Sequence, residues 1–309
     1  MFSILLPAYK AAFLEKAIAS VLGQSFGDFE LVIVNDASPE DLDTIVARFA
    51  DPRIRYYRNE RNVGGKSLVA NWNICLGYAT RDLTVLFSDD DIMGADFLLE
   101  MERLAGKYPS VDVFYSRVAV IDEAGGLKSI APASPEYESC LDFIWHRENN
   151  HRLIYTCNFA FRKQALERLG GFVDFPLAWG SDAATWFALA RTKGIVSTDR
   201  VLSYWRWSGF NISNIGSAAG RLEGLDMYRR WLQHYVDTYI PEDDIQAFLK
   251  ADILRRLPVS QFKNQCAVMD RVSKHQSMLK TTRMYFSLRK RYHLSVKTLG
   301  YALTRKFIN

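Results

Sequence analysis

Apolar runs long enough for single strands alternate, through most of the chain, with segments whose apolar positions recur at helical spacing. Residues 2–6 read as a buried strand that Pro7 ends. Phe13, Leu14, Ala17, Ile18, Val21 and Leu22 then share one helical face, which stops near Gly23. A second apolar strand covers 29–34, and Ser38 is the expected cap of a helix with Pro39 at its first position. A third strand over 54–57, a turn at Gly64 and Gly65, and a helix over 67–77 lead to the apolar run that starts at Thr84. A helix over 95–105 and a strand over 111–120 follow. This βαβα alternation predicts a doubly wound α/β sheet.

Further on the pattern loosens. Glycine, proline and serine mark 124–135 as a connection, 137–145 reads as a short helix, 155–161 as a strand, and 163–169 as a helix closed by Gly170 and Gly171. A helix carrying Trp186, Phe187, Leu189 and Ala190 follows Asp182, and a strand falls near 194–197. The stretch 202–214 is rich in aromatic residues, holds one cation, Arg206, and reads as something other than pure core. From Ser217 strands disappear, and helices are expected over 219–239, 242–257, 261–281 and 284–307. The chain therefore divides into a domain over 1–215 and a helical extension over 216–309.

The central apolar run ends in Ser88, Asp89, Asp90 and Asp91. At about 4 Å, in an effective dielectric between about 20 and 80, each carboxylate pair repels by roughly 1–4 kcal/mol, so three acids at a strand end invite a cation. Magnesium and manganese accept carboxylate oxygens and keep positions open for phosphate. Ligands of an open α/β sheet bind beyond the carboxyl ends of its strands. The plainer alternative is a solvated acidic turn that caps the next helix. The first strand runs into Pro-Ala-Tyr-Lys instead of G-x-G-x-x-G, and no G-x-x-x-x-G-K-S/T loop occurs, so both common glycine-rich phosphate cradles are excluded. A nucleotide would have to be held by side chains and metal.

Charge is unevenly spread. The formal net charge is +4, yet ten Lys or Arg and no Asp or Glu occur from Arg271 onward, leaving 29 bases against all 35 acids in residues 1–270. A mildly acidic body argues against nucleic-acid binding. Cys75, Cys140, Cys157 and Cys266 lack paired or metal-ligand spacing and suit a reducing compartment. None of the five histidines has metal-ligand company. With no basic leader before an apolar stretch and no run of apolar residues long enough to span a bilayer, the expected location is cytoplasmic.

Five motifs in order carry a resemblance: S-I-L-L-P-A-Y at 3–9, L-V-I-V-N-D-A-S at 31–38, N-x-G at 62–64, S-D-D-D at 88–91 and W-G-S-D at 179–182. Together they resemble the inverting family 2 glycosyltransferases with the GT-A fold, a Rossmann-like, mostly parallel sheet flanked by helices. The resemblance implies transfer of a sugar from a nucleotide-diphosphate donor, commonly a UDP-sugar, to a hydroxyl of a glycan or lipid-linked acceptor, with Mn2+ or Mg2+ at the diphosphate. It implies that Pro7, Ala8 and Tyr9 shape the nucleobase end of the pocket and that Asp36 accepts from uracil or ribose. Asp36 has the competing reading of an Asx turn or helix cap, and Asn35 stands where the family has Asp. Asp90 is implied as the metal ligand, with Asp89 or Asp91 orienting sugar or ribose hydroxyls. An alternative alignment uses Asp89 and Asp91 as the spaced pair, because Ser88 replaces the family's first Asp. Asp182 matches the catalytic base, although Ser181 replaces the preceding Glu and a helix cap is the simpler role. Trp179 is implied to stack on the acceptor sugar or else to be a core lid. Arg206, in a loop resembling the family's closing segment, is implied to touch the diphosphate, with Ser213 a weaker candidate.

In the basic tail Tyr285, Phe286, Leu288, Tyr292, Leu294, Leu299 and Leu303 alternate with cations, as in helices that lie on anionic membranes. Peripheral contact with the inner face of the cytoplasmic membrane, docking on the acidic body, and contact with another subunit or an anionic acceptor are the three readings of it. Two rival functions remain. A nucleotidyltransferase would use the same metal but wants a glycine-rich basic loop after the first strand. A non-catalytic nucleotide-sugar binder would explain Asn35, Ser88 and Ser181.

Overall fold

Strand β1 (Phe2–Ala8) is buried along nearly its whole length, and a sheet is built outward from it. The computed structural model describes residues 1–209, 216–274 and 276–304. They form two compact units: Met1–Asp174 with Asp182–Gly209, and Phe175–Ser181 with the described residues after Gly209.

In the first unit β1 pairs in parallel with β2 (Phe29–Asn35), β2 with β3 (Ile54–Arg58), and β1 on its other side with β4 (Leu83–Leu86). Helices α1 (Leu14–Leu22), α2 (Leu42–Ala47) and α3 (Leu68–Tyr78) are the crossovers. Ile4, Leu6 and Ala8 join Leu31, Ile33 and the apolar faces of α1 and α2 in one core, while α3 packs against β1 and β2 with Val69, Trp72 and Cys75 buried. A sheet covered on both faces needs continuous rather than alternating apolar strands, which is how β1 and β2 read.

The chain continues through β5 (Ile92–Met93), α4 (Phe97–Lys107), β6 (Val113–Ile121), β7 (Leu127–Ile130), β8 (Tyr137–Glu138), α5 (Cys140–Glu148), β9 (Phe159–Arg162), α6 (Lys163–Arg168), α7 (Ser181–Ala190) and β10 (Ile195–Arg206). The sheet order is β3-β2-β1-β4-β9-β6-β10-β5, with β7 paired to β6 and β8 to β10. The sheet is mixed: β3-β2-β1-β4 and the β6–β10 pair are parallel, and β9 runs antiparallel between β4 and β6.

Several sequence expectations need correction. β1 runs through Pro7 to Ala8. Asp36 donates its amide to the Ala8 carbonyl, so Ala8 faces β2 and Pro7 faces the β4 side, where pairing stops at Leu86 and no ladder bond is lost. Ser38 does not cap α2. Its hydroxyl donates to the Tyr9 carbonyl, and Asp41 caps the helix by accepting from Thr44 N. The connection at 124–135 contains β7, and α5 starts only at Cys140, after β8. A 3-10 turn, Thr156–Asn158, precedes β9. The segment up to Arg206 is the far end of the 12-residue β10, not a closing loop. Ser213 lies outside the described residues.

The second unit holds α8 (Ala218–Asp237), α9 (Asp244–Ser273), α10 (Met278–Arg289) and α11 (Val296–Thr304). The two helices expected over 242–257 and 261–281 are one, continuous through Pro258. An interior proline costs about 3 kcal/mol; α9 packs against both α8 and α11. Tyr285, Tyr292 and Leu294 of the tail are buried with Leu222, Val268 and Met269.

Candidate functional site

The chain leaves β1 toward β2 and β3 and then returns to β4 on the opposite side, so the crevice between the carboxyl ends of β1 and β4 is a topological switch point. The acids meet the end of β1 there. Asp89 Oδ2 accepts from the amides of Tyr9 and Lys10 at 2.8 and 2.9 Å. Asp90 lies with its carboxylate 3.7 Å from Lys10 Nζ. Asp91 Oδ1 accepts from Arg206 N at 2.8 Å, while its Oδ2, beside the Cys157 thiol, is buried and has no hydrogen-bond partner among the described residues.

All three carboxylates are buried, and burial is the main cause that raises their pKa values. Asp90 is pushed up to about 6, with the Asp89 charge adding to burial and Lys10 opposing both. Asp91 is raised further by burial and by Asp90. The cluster is thus short of positive charge. Among the described residues no three His, Cys, Asp or Glu form a metal-binding group. What the cluster offers is hard oxygen: the Asp90 carboxylate and the buried Asp91 Oδ2.

Arg206 is buried and fixed. Its Nε donates to the Asp90 carbonyl at 2.8 Å, its Nη1 to the carbonyls of Asp122 and Glu123, and its guanidinium lies 4.5 Å from the Phe13 ring centroid. It clamps the acid loop to β10. Asp36 follows β2 and is also engaged: Oδ1 accepts from Asn59 Nδ2 and Val63 N, and Oδ2 from Gly64 N at 2.7 Å. It is therefore not the cap of α2, and it fastens the N-x-G turn to the sheet. Asn35 is wholly buried, donating to the Tyr56 hydroxyl and accepting from Ser38 N. Of the residues at the end of β1, Ala8 is buried, Pro7 is half-buried and Tyr9 is exposed.

Asp182 stands in the first turn of α7 and accepts from Ala183 N at 2.7 Å. Part of its surface remains in solvent, yet burial raises its pKa against the opposing pull of that amide and of Arg147. Trp179 belongs to the second unit, where its Cβ lies close to Gly224 of α8. The structure thus brings Tyr9, Asp89, Asp90, Asp91 and Arg206 together by direct contacts, with Asp36 one backbone bond from Ala8. Sequence reasoning missed Lys10, Asn59 and Cys157. Lys10 was legible as the cation directly after Tyr9; Asn59 and Cys157 carried no signal.

The sequence model of "Glycosyl transferase family 2" matches residues 3–170. The putative glycosyltransferase EpsE of Bacillus subtilis is 31% identical over 267 residues, covering 82% of this chain and 90% of that protein. The GalNAc(5)-diNAcBac-PP-undecaprenol beta-1,3-glucosyltransferase of Campylobacter jejuni is 32% identical over 198 residues, 62% of this chain and 60% of that one. The chain likewise spans only 62% of the length of two rickettsial relatives. Among solved structures, Staphylococcus aureus TarS 1–349 in complex with UDP-GlcNAc superposes with a TM-score of 0.65 at 15% identity, covering 99% of this chain and 89% of that one. The mannosyltransferase PcManGT of Pyrobaculum calidifontis, with GDP-Man and Mn2+, gives 0.58 at 17% identity, covering 99% and 86%. The chain belongs to glycosyl transferase family 2, and its mixed sheet flanked by helices is the GT-A fold.

Proposed function

We propose that the protein transfers a sugar, with inversion at C1, from a nucleoside-diphosphate donor, UDP being the expected nucleotide, to a hydroxyl of a glycan or lipid-linked acceptor. The observation that carries this is the trio of buried carboxylates at the β1–β4 switch point, one of them anchored by the backbone of Tyr9 and Lys10. Asp90 would hold Mg2+ or Mn2+, with Asp91 Oδ2 beside it. An ion bound by one or two carboxylates and chiefly by substrate phosphate matches such an open donor set. When bound, the metal neutralises charge on the departing diphosphate. Pro7, Ala8 and Tyr9 line the nucleobase end, and Asp36 keeps the N-x-G turn in place beside it. Arg206 positions Asp90 and Asp91 instead of meeting the diphosphate itself. Asp182 takes the proton of the acceptor hydroxyl as that oxygen bonds to C1, while the bond from C1 to the diphosphate oxygen breaks and its electron pair leaves with the nucleotide. Trp179 stacks on the acceptor sugar.

The Campylobacter relative is named for an undecaprenol-linked acceptor, which supports a lipid-linked acceptor here and work at the inner face of the cytoplasmic membrane. Among the described residues no helix is long and apolar enough to cross a membrane. The cations set among apolar residues in the tail are what support the membrane contact we propose. The test is calorimetric titration with UDP, GDP, CDP and their sugars, with and without manganese. Asp90→Asn should abolish metal-dependent donor binding. Asp182→Asn should keep the donor and lose about 10²–10⁴-fold in transfer. Equal loss of donor affinity in both variants would sink this division of roles.

A further inference from the structure

Tyr155 belongs to none of the motifs, yet it stands among the site residues. It immediately precedes the turn Thr156–Asn158, which meets the acid loop through Thr156 and Cys157. The Thr156 hydroxyl lies 3.4 Å from that of Ser88, and the Cys157 thiol sits beside Asp91. The Tyr155 ring stacks on Trp205, with centroids 4.3 Å apart and planes 10° from parallel, and Trp205 directly precedes the arginine whose amide holds Asp91. Its own amide donates to Asn158 Oδ1 at 3.1 Å, and Asn158 Nδ2 donates to the Ser116 carbonyl at 3.0 Å. Backbone and ring are both fixed, so little entropy is lost when the phenol meets a ligand. Burial raises its pKa, followed by the charges of Cys157, Asp91 and Asp182, which means that the phenol stays neutral and lies within electrostatic reach of both carboxylates.

We propose that Tyr155 recognises the sugar being transferred, donating a hydrogen bond from its phenol to a hydroxyl of that hexose. The inference rests on the glycosyl-transfer reading above. In an in-line displacement the transferred ring lies between the diphosphate, held at Asp89–Asp91, and the acceptor oxygen beside Asp182. A group within range of both ends is therefore next to that ring. A hydroxyl placed to hydrogen-bond a substrate hydroxyl also discriminates more sharply than an apolar wall.

The experiment compares Tyr155→Phe with the wild type in calorimetric titrations against UDP, GDP, UDP-glucose, UDP-N-acetylglucosamine and GDP-mannose in manganese. Loss of one neutral hydrogen bond should weaken the preferred nucleotide sugar about 5–10-fold while leaving the free nucleoside diphosphate within about twofold. Tyr155→Ala, which also removes the ring, should lose more on the sugar than on the diphosphate. Equal weakening of both ligands would make Tyr155 a scaffold residue and overturn the proposal, as would unchanged affinity for both in Tyr155→Phe. If the wild type binds no nucleotide at all, the donor-pocket reading falls and this inference with it. Normal wild-type binding with an unaltered Tyr155→Phe overturns this inference alone.

Discussion

Asp182 combines solvent contact with a pKa that burial raises above the ordinary carboxylate value, the combination that suits a general base. A base must be unprotonated to act. Because its pKa is raised, activity should be complete well above that value and fall as pH drops through it, so the acid limb of kcat lies above 3.8. A kcat profile at saturating donor, acceptor and manganese measures this, and the limb should vanish from the residual activity of Asp182→Asn. A limb at the ordinary carboxylate pKa would speak against the assignment. Gly64 carries a second prediction at this scale. A Cβ there would lie 2.8 Å from Asp36 Oδ2, the oxygen that the Gly64 amide already contacts. Gly64→Ala should cost about 1–3 kcal/mol of stability by overpacking and weaken donor binding, read by thermal unfolding and titration. The N-x-G motif was visible in the sequence. That it serves Asp36 was not, because no local pattern records a contact across so many residues.

Among the elements, β2 shows how a polar residue is kept inside a buried strand. Glu30 accepts from the Ser3 hydroxyl, from Arg55 Nη1 at 2.7 Å, and from the amide and hydroxyl of Thr80. Burial pushes its pKa up, but these bonds together outweigh burial and the net shift is down. A lowered pKa contributes stability above the unfolded-state value of about 4.3 and loses it as pH falls through the folded one. Glu30→Gln should therefore destabilise by about 2–3 kcal/mol at neutral pH, less than a fully buried pair because Arg55 is partly in solvent. The gap to wild type should close in acid, as denaturant melts at several pH values would show. The same scale explains where the sequence misled. β1 and β2 were legible as unbroken apolar runs, and α1 by its helical period. β10 was cut short because Asp199 and Arg200 are exposed in its middle, where the register against β6 slips between Thr198 and Val201. That bulge looks like a turn in one dimension. It also explains why Arg206 was read as a loop cation, although it is a strand residue buried against the acid loop. β7 and β8 are too short to leave a period at all.

Over the whole molecule the imbalance of charge outlasts every local correction. The tail's apolar residues do not form one free stripe, since Tyr285, Tyr292 and Leu294 are consumed inside the second unit. What stays outside is narrower. Leu279, Arg283, Phe286 and Lys290 of α10 and its end follow one another at spacings of about four, three and four and are exposed, so they share a face. No acid occurs from Arg271 onward to oppose it. An anionic lipid surface is the partner that matches cations set among apolar side chains, each cation contributing about 1 kcal/mol near the membrane. The full chain should therefore float with phosphatidylglycerol vesicles at low salt, and not with neutral phosphatidylcholine vesicles. Binding should fade as salt rises, because the attraction is screened beyond about one Debye length. Reversing one charge and removing one apolar contact, Arg283→Glu with Phe286→Ser, should weaken it at least about tenfold, while calorimetric binding of the donor stays as in the wild type. Flotation that ignores lipid charge, or persists in the double variant, would assign the tail's cations to another partner.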